Sequence, residues 1–346
     1  MKICVISTPV FAVKDQGLTG YGGLEQIAWH CAEQLAKQGN KVALVAPEGS
    51  TCPNVQVITN GKPGTWNERT AFNSYHEELN KFDVIIDHTW MKYSYLKKGK
   101  GDLKAPILGV LHAPVNTMYQ TLPPNVENPC FVAISSDQSR HFEVLFNRRA
   151  EVCWNGIDTS FYKNIGLPRT DRYLFLARFS TIKGPHIAID VCKNTKTKLD
   201  LIGDTQITGE PEYLKKCQDA ILGYPDIQFL GGKNRGECVW YFSQAKALLH
   251  PNKLFREPFG LAPVESLACG TPVIAWKYGA MGETVIHGTT GFLVETQNQI
   301  EKIIKEDLIS TIKSEHCREH VERFFTIQRM GHRYQELCQM AIEEGW

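Results

Sequence analysis

The sequence predicts an α/β protein made of two doubly wound, parallel-sheet domains. Three observations point there. Short continuous Val/Ile/Leu runs alternate with helical periodicity along the chain. Unbroken apolar runs suit strands buried on both faces, as in parallel sheets. The alternation stops around 156–170, where Gly166 and Pro168 interrupt any period, and then restarts. Finally, 346 residues with 42% hydrophobic and 22% charged residues are enough for about two ordinary globular domains.

The elements follow in order. Residues 3–7 are a short apolar run ending in turn chemistry, the first strand. Leu24, Ile27, Ala28, Cys31 and Leu35 then recur at helical spacing, and Gly39 closes that helix. Strands are expected at 42–46, stopped by Pro47, more weakly at 55–58, and at 83–87, 107–111 and 131–134. Past the break, 173–177 reads as a strand, 185–192 as a helix opened by Pro185, and 199–202 as a strand ending at Gly203-Asp204. Three more strands are expected at 227–230, 247–250 and 272–275. The last 45 residues look helical and charged, with Ile300, Ile303, Ile304 and Leu308 giving the apolar stripe.

Composition excludes several classes. Lys plus Arg (38) nearly cancels Asp plus Glu (37), so no strong field points to nucleic acid or an anionic membrane. No apolar stretch approaches the ~18 residues of a spanning helix. The start, Met1-Lys2-Ile3-Cys4-Val5-Ile6, lacks a leader's longer apolar core, so a cytoplasmic location is expected. The eleven cysteines include no Cys-x-x-Cys pair. Most, such as Cys4, Cys31, Cys192 and Cys269, sit among apolar residues as small core side chains, so no metal ligand set is signalled.

Ligands of open parallel sheets bind beyond the carboxyl ends of the strands, which singles out four places. Thr19-Gly20-Tyr21-Gly22-Gly23 runs into a helix start, where glycines allow close backbone approach and free N–H groups favour an anion. Arg178 and Lys183 straddle the turn after the 173–177 strand, a planar fork and a point charge able to neutralise a diphosphate. In the segment 255–272, Pro258 and Gly260 hold Glu257 on an irregular loop. Pro263 is expected to start a short helix with Glu265 in its first turn and Gly270 at its end. A carboxylate accepts two hydrogen bonds at once, which suits the vicinal hydroxyls of a sugar or ribose. Paired carboxylates also suit a glycosidase, although both lie in one short segment beside phosphate-binding features. Last, His88 and His112 stand at strand ends, where either could meet a substrate.

The same segment carries a family resemblance. Glu257-Pro-Phe-Gly-Leu-x-x-x-Glu265, followed by Ala268-Cys-Gly-Thr-Pro-Val-Ile274, resembles the Glu-x7-Glu signature of the retaining glycosyltransferases of family 4. Gly22-Gly23-Leu24-Glu25, Asn155-Gly156-Ile157-Asp158, Arg178 with Lys183-Gly184, Gly203-Asp204 and Gly282-Glu283 with Gly291-Phe-Leu-Val are similar to that family's other landmarks, in the same order, across about residues 1–294.

The resemblance implies a GT-B fold: two Rossmann-like domains facing a central cleft, the second holding a nucleotide-sugar donor, with a C-terminal helix crossing back to the first domain. The expected divisions are 1–166 for the acceptor-side domain, 167–324 for the donor domain and 325–346 for the returning helix. The resemblance implies sugar transfer from a nucleoside diphosphate with retention and without a metal or other cofactor, Arg178 and Lys183 supplying the positive charge. It implies that Glu265 holds the ribose diol and Glu257 the donor sugar's hydroxyls. Phe259, Gly260 and Leu261 line the donor, Gly22 and Gly23 approach its diphosphate, and His112 faces the reacting sugar. Glu283 lies beside the donor through its loop backbone. No carboxylate is placed to attack the anomeric carbon from behind, so same-face attack is expected, with the leaving phosphate drawing the acceptor's proton.

The chain departs from the family pattern in its modest length, in the shortened turn Ala177-Arg178-Phe179-Ser180, and in Gly282, which stands where Pro is common before Glu283. The acceptor is open: a small molecule, glycan, lipid or nucleic acid. Lys97-Lys98-Gly99-Lys100 and Arg148-Arg149 could meet an anionic acceptor or a membrane surface. Two further activities fit the same residues, epimerisation or hydrolysis of a sugar nucleotide and non-catalytic nucleotide-sugar binding.

Overall fold

The computed structural model describes residues 1–14, 22–115, 129–206 and 209–344. Thr19, Gly20 and Tyr21 of the expected glycine loop lie outside them. The chain divides into two compact units, residues 1–156 with 327–346, and residues 157–326.

Unit 1 runs β1 (Lys2–Ile6), α1 (Gly23–Lys37), β2 (Lys41–Ala46), β3 (Gln56–Thr59), α2 (Glu68–Tyr75), β4 (Val84–Asp87), α3 (Tyr93–Gly99), β5 (Ile107–Leu111), β6 (Cys130–Ala133), α4 (Ser136–Phe146) and β7 (Glu151–Val152). The strands form one sheet in the order β3-β2-β1-β4-β5-β6-β7. Every pair is parallel. Ile3 sits between Val42 and Val84, and the run from Ile3 to Ile6 is wholly buried, as expected of a strand covered on both faces.

Unit 2 runs β8 (Arg172–Leu176), α5 (Pro185–Thr195), β9 (Lys198–Ile202), α6 (Pro211–Ala220), β10 (Ile227–Gly231), α7 (Arg235–Gln244), β11 (Leu248–His250), α8 (Leu261–Ala268), β12 (Val273–Trp276), α9 (Met281–Thr284), β13 (Gly291–Val294), α10 (Gln297–Lys305) and α11 (Ser314–Phe324). Its sheet has the order β10-β9-β8-β11-β12-β13, again parallel throughout. The order reverses direction between β8 and β11, the switch point at which such sheets leave room for a ligand.

The last helix, α12 (Ile327–Glu344), belongs to unit 1. Its Met330, Tyr334, Leu337, Cys338 and Ala341 are buried, and it lies along α1 so closely that a Cβ on Gly331 would stand 2.4 Å from Gln34 Cβ. Asn40 Nδ2 donates to Gln335 Oε1 at 2.6 Å, and Arg333 reaches the Val152 carbonyl at 3.0 Å and Glu151 at 2.8 Å.

Four expectations shift. The division falls at 156/157, not 166/167, because the chain after Gly156 is bonded into unit 2. Ile157 N–H donates to Phe325 O at 2.9 Å, and the Arg318 guanidinium spans the carbonyls of Thr159, Tyr162 and Ala268. The second crossing lies at 326/327, with α12 starting at Ile327, not Phe325. The helix carrying Glu265 starts at Leu261, two residues before Pro263, because Gly260 turns left-handed (φ 87°) and caps it. Pro263 is its third residue, where a missing N–H breaks no intrahelical bond, and Glu265 falls in the second turn. Leu308 stands past the end of α10, on a separate turn after Asp307, and still packs on the same core. Among the described residues, no helix is long and apolar enough to cross a membrane.

Candidate functional site

In unit 2 the chain leaving β8 and the chain leaving β11 meet at the switch point. Arg178, half-buried, follows β8 directly, and Lys183 ends a single helical turn before α5. Gly184, at φ 71°, caps α5 and passes so near the other chain that a Cβ there would stand 2.6 Å from Pro251 O. Only a glycine permits that approach, which brings Lys183 over the loop that follows β11.

Lys183 Nζ lies 2.5 Å from Glu257 Oε2 and 4.6 Å from the Phe255 ring centre. Asn252 Nδ2 donates to the same carboxylate oxygen at 2.8 Å, and His250 Nε2 stands 3.6 Å from it. Glu257 itself is 9% exposed. Its backbone is pinned from the far side, where Ala280 N–H donates to Glu257 O at 2.8 Å and Gly279 (φ 66°) leaves no room for a side chain. The loop 279–283 is therefore tied to Glu257 despite Gly282 standing where Pro is common.

These surroundings set the charges. Burial alone would raise the Glu257 carboxyl, but the Lys183 ammonium and the His250 imidazole outweigh it and bring the pKa down to about 2, so the group is a fixed anion. His250 is held below the ordinary imidazole value by burial, which outweighs the pull of Glu257. Glu265, eight residues on, moves the other way. Burial raises its pKa against the opposing effects of the Arg235 charge and a hydrogen bond from the Tyr162 hydroxyl. Near the start of α8, the N–H groups of Leu261 and Ala262 precede the first intrahelical bond, Val264 N–H to Gly260 O, and are placed to receive an anion. Phe259 is 1% exposed with its ring edge-on to Phe325, so only its main chain is available to a ligand.

Unit 1 carries a second group. Gly22 (φ 149°) caps α1 and Gly23 opens it without a side-chain cap, so the first-turn N–H groups of α1 are uncommitted within the helix. Buried Glu25 in that turn accepts from the Thr8 hydroxyl just past β1. His88 and His112, at the ends of β4 and β5, are hydrogen-bonded, Nδ1 to Nε2 at 2.8 Å. His88 is wholly buried and His112 partly exposed. Burial and the Lys92 charge lower the His112 pKa to about 3.

The structure thus brings Lys183 and Glu257 into direct contact and leaves Glu265 in a separate setting with Tyr162 and Arg235. His250 and Asn252 are functional candidates that sequence reasoning passed over. Both stand at the end of β11, the strand that precedes Glu257, and their position at the switch point was the signal that could have found them.

A family model, glycosyl transferases group 1, matches residues 162–324. A D-inositol 3-phosphate glycosyltransferase of Thermobifida fusca is 31% identical over 358 aligned positions, covering 85% of this chain and 82% of that protein. An uncharacterized glycosyltransferase of Methanocaldococcus jannaschii is 30% identical over 189 positions, 54% of this chain, and the match spans half of that relative's length. Among solved structures, the sucrose-phosphate synthase of Thermosynechococcus elongatus superposes with a TM-score of 0.80 at 20% identity, over 99% of each chain. HepE of Anabaena, solved in complex with UDP and glucose, superposes with a TM-score of 0.75 at 19% identity, over 98% of this chain and 99% of its own. These structural likenesses show the fold: two Rossmann-like parallel-sheet domains of GT-B type.

Proposed function

This chain belongs to the group 1 glycosyl transferases, and from that premise we propose that it moves a sugar from a nucleoside-diphosphate donor to a hydroxyl acceptor, with retention and without a metal. The observation that carries the reading is the Lys183–Glu257 pair at the switch point of unit 2, with Glu257 also held by Asn252 and flanked by His250. A carboxylate kept ionised far below neutral pH can only accept hydrogen bonds, which is what the hydroxyls of a bound sugar require.

Glu257 takes the donor sugar's hydroxyls and Glu265 the ribose diol. Lys183 and Arg178, with the free N–H groups opening α8, receive the diphosphate, supported by the main chain of Phe259, Gly260 and Leu261. In unit 1, taken by itself, the N–H groups at Gly22 and Gly23 suit a phosphate and His112 suits a sugar hydroxyl. In the transfer step the bond from the anomeric carbon to the phosphate oxygen breaks as the acceptor oxygen bonds to the same face of that carbon. The acceptor's proton passes to the departing phosphate oxygen. Catalysis then rests on positioning and on charge stabilisation at the leaving diphosphate.

HepE's complexes make the uridine series the first to test. In a thermal-shift panel of UDP-, GDP- and ADP-sugars and bare diphosphates, one series is expected to raise the melting temperature in 5 mM EDTA and to have no effect on Glu265→Ala. A ligand at a hundredfold excess over Kd stabilises by about 2.7 kcal/mol. A panel without any stabilising nucleotide, or a shift that needs a divalent ion, overturns the reading or its metal-free part respectively.

A further inference from the structure

We propose that His88 is a positioning residue that fixes His112 in the Nδ1-protonated tautomer, so that His112 offers its ligand a hydrogen-bond donor and not a base. This rests on the reading in which His112 faces the reacting sugar.

The argument is one of counting protons. His88 Nδ1 and His112 Nε2 are 2.8 Å apart, so one of them carries the shared proton and the other accepts. The remaining nitrogen of His88, Nε2, is buried and has no hydrogen-bond partner among the described residues. If His112 donated, the neutral His88 ring would carry its proton on Nε2, an orphaned buried N–H. If His88 donates, its Nε2 is left with only an unused lone pair. Orphaned buried N–H groups are the rarer and costlier defect, so His88 is the donor. His112 then keeps its own proton on Nδ1, the nitrogen turned away from His88.

The second possibility, that both rings are charged, is closed by their surroundings. Burial holds His88 well below the ordinary imidazole value, and burial with the Lys92 charge does the same for His112. The His88 ring is also rigidly placed. The main-chain N–H of His88 donates to Ile6 O at 2.9 Å, and the Tyr334 ring of α12 packs against the imidazole with centres 5.8 Å apart. The loop after it is locked, with Thr89 bonded twice to Asp87 and the N–H groups of Trp90 and Met91 donating to the Glu68 carboxylate at 3.0 and 2.7 Å. A neutral imidazole with its Nδ1 proton outward can grip a sugar oxygen but cannot take a proton there. That matches a transfer in which the leaving phosphate takes it.

The test is a long-range nitrogen–proton correlation spectrum of the full chain labelled at histidine nitrogen, with His112→Asn identifying the His112 signals. The expected result is a protonated Nδ1 and a bare Nε2 on His112, unchanged from pH 8 to pH 5.5. His88→Asn, whose amide N–H replaces the imidazole donor, is expected to keep that form. His88→Leu is expected to move the proton to Nε2, the form a free imidazole side chain prefers. A wild-type His112 protonated on Nε2, or titrating near 6.5, overturns the proposal. If His88→Leu does not fold, the wild-type and His88→Asn spectra decide alone. Calorimetry with UDP-glucose and UDP separates the underlying reading. His112→Ala should lose about tenfold in affinity for the sugar nucleotide and none for UDP. Equal affinities in both proteins would remove His112 from the sugar and leave the tautomer result standing.

Discussion

Glu257 and Glu265 are one side chain in two settings, and the settings assign their work. Glu257 is paired with a lysine in a buried loop and is an anion at every pH the protein meets. Glu257→Gln keeps the shape and removes the charge. It is expected to lower turnover by about a hundredfold or more while leaving nucleoside diphosphate affinity within about threefold, as read by kinetics and calorimetry on the same preparation. Lys183 would then face an uncharged partner, so the stabilisation the pair contributes at neutral pH should also shrink. In the wild type that stabilisation is present above the unfolded carboxylate value of about 4.3 and is lost as pH falls toward 2, because the folded value is depressed. The histidines have the same sign for a different reason. His88, His112 and His250 are held neutral by burial, so the unfolded chain binds protons that the folded chain refuses once pH drops below about 6.5. Each therefore contributes stability that is lost as pH falls below that point. Urea unfolding midpoints are expected to fall between pH 7.5 and 5.5, less steeply in His112→Asn. A flat profile would mean these rings charge freely in the fold.

At the scale of elements, the site depends on two loops that approach where only glycine fits. A methyl group on Gly279 would stand 2.4 Å from Glu257 O and 2.6 Å from Glu257 N, at a φ that side chains rarely adopt. Gly279→Ala is therefore expected to destabilise the protein by about 2 kcal/mol or more and to weaken donor binding by displacing Glu257, whereas Gly288→Ala, also at positive φ but in open space, should cost about 1 kcal/mol and leave binding unchanged. Melting curves and donor titrations on the two variants test the contrast. The same elements show what the sequence makes legible. The strands read well because Val84-Ile85-Ile86 or Ile3 to Ile6 are buried runs whose pattern does not depend on their neighbours. Helices such as α2 and α6 do not stand out, since their sequences are largely polar and bury only a few side chains each, and α7 carries its apolar residues as one run, Cys238 to Phe242, without a helical period. The two-residue β7 is too short to carry a pattern, and β13 opens on a glycine. Glu257 and Lys183 were each visible as strand-end residues. Their contact was not, because it spans 74 positions and follows from β8 and β11 being neighbours in the sheet.

For the whole molecule, the consequential fact is that unit 2 is one continuous stretch and unit 1 is not. Helix α12 covers α1 with Tyr334, Leu337 and Cys338, all fully buried, and a leucine alone is worth about 2 kcal/mol when taken out of water. A chain ending at residue 326 is expected to lose the unit 1 melting transition and to expose residues 1–156 to protease, while 157–326 persists as a resistant fragment. Survival of both units would mean that α12 is dispensable. The division has a further consequence in the order of synthesis. A ribosome releases residues 1–156 first, yet the partner for the apolar face of α1 is encoded in the final stretch, after the whole of the second unit. Unit 2 can therefore complete its sheet while the earlier unit still waits for its last helix. During that interval the face of α1 around Cys31 and Gln34, which Cys338 and Gly331 cover in the folded unit, lacks its partner and is the kind of transiently bare surface on which a nascent chain aggregates.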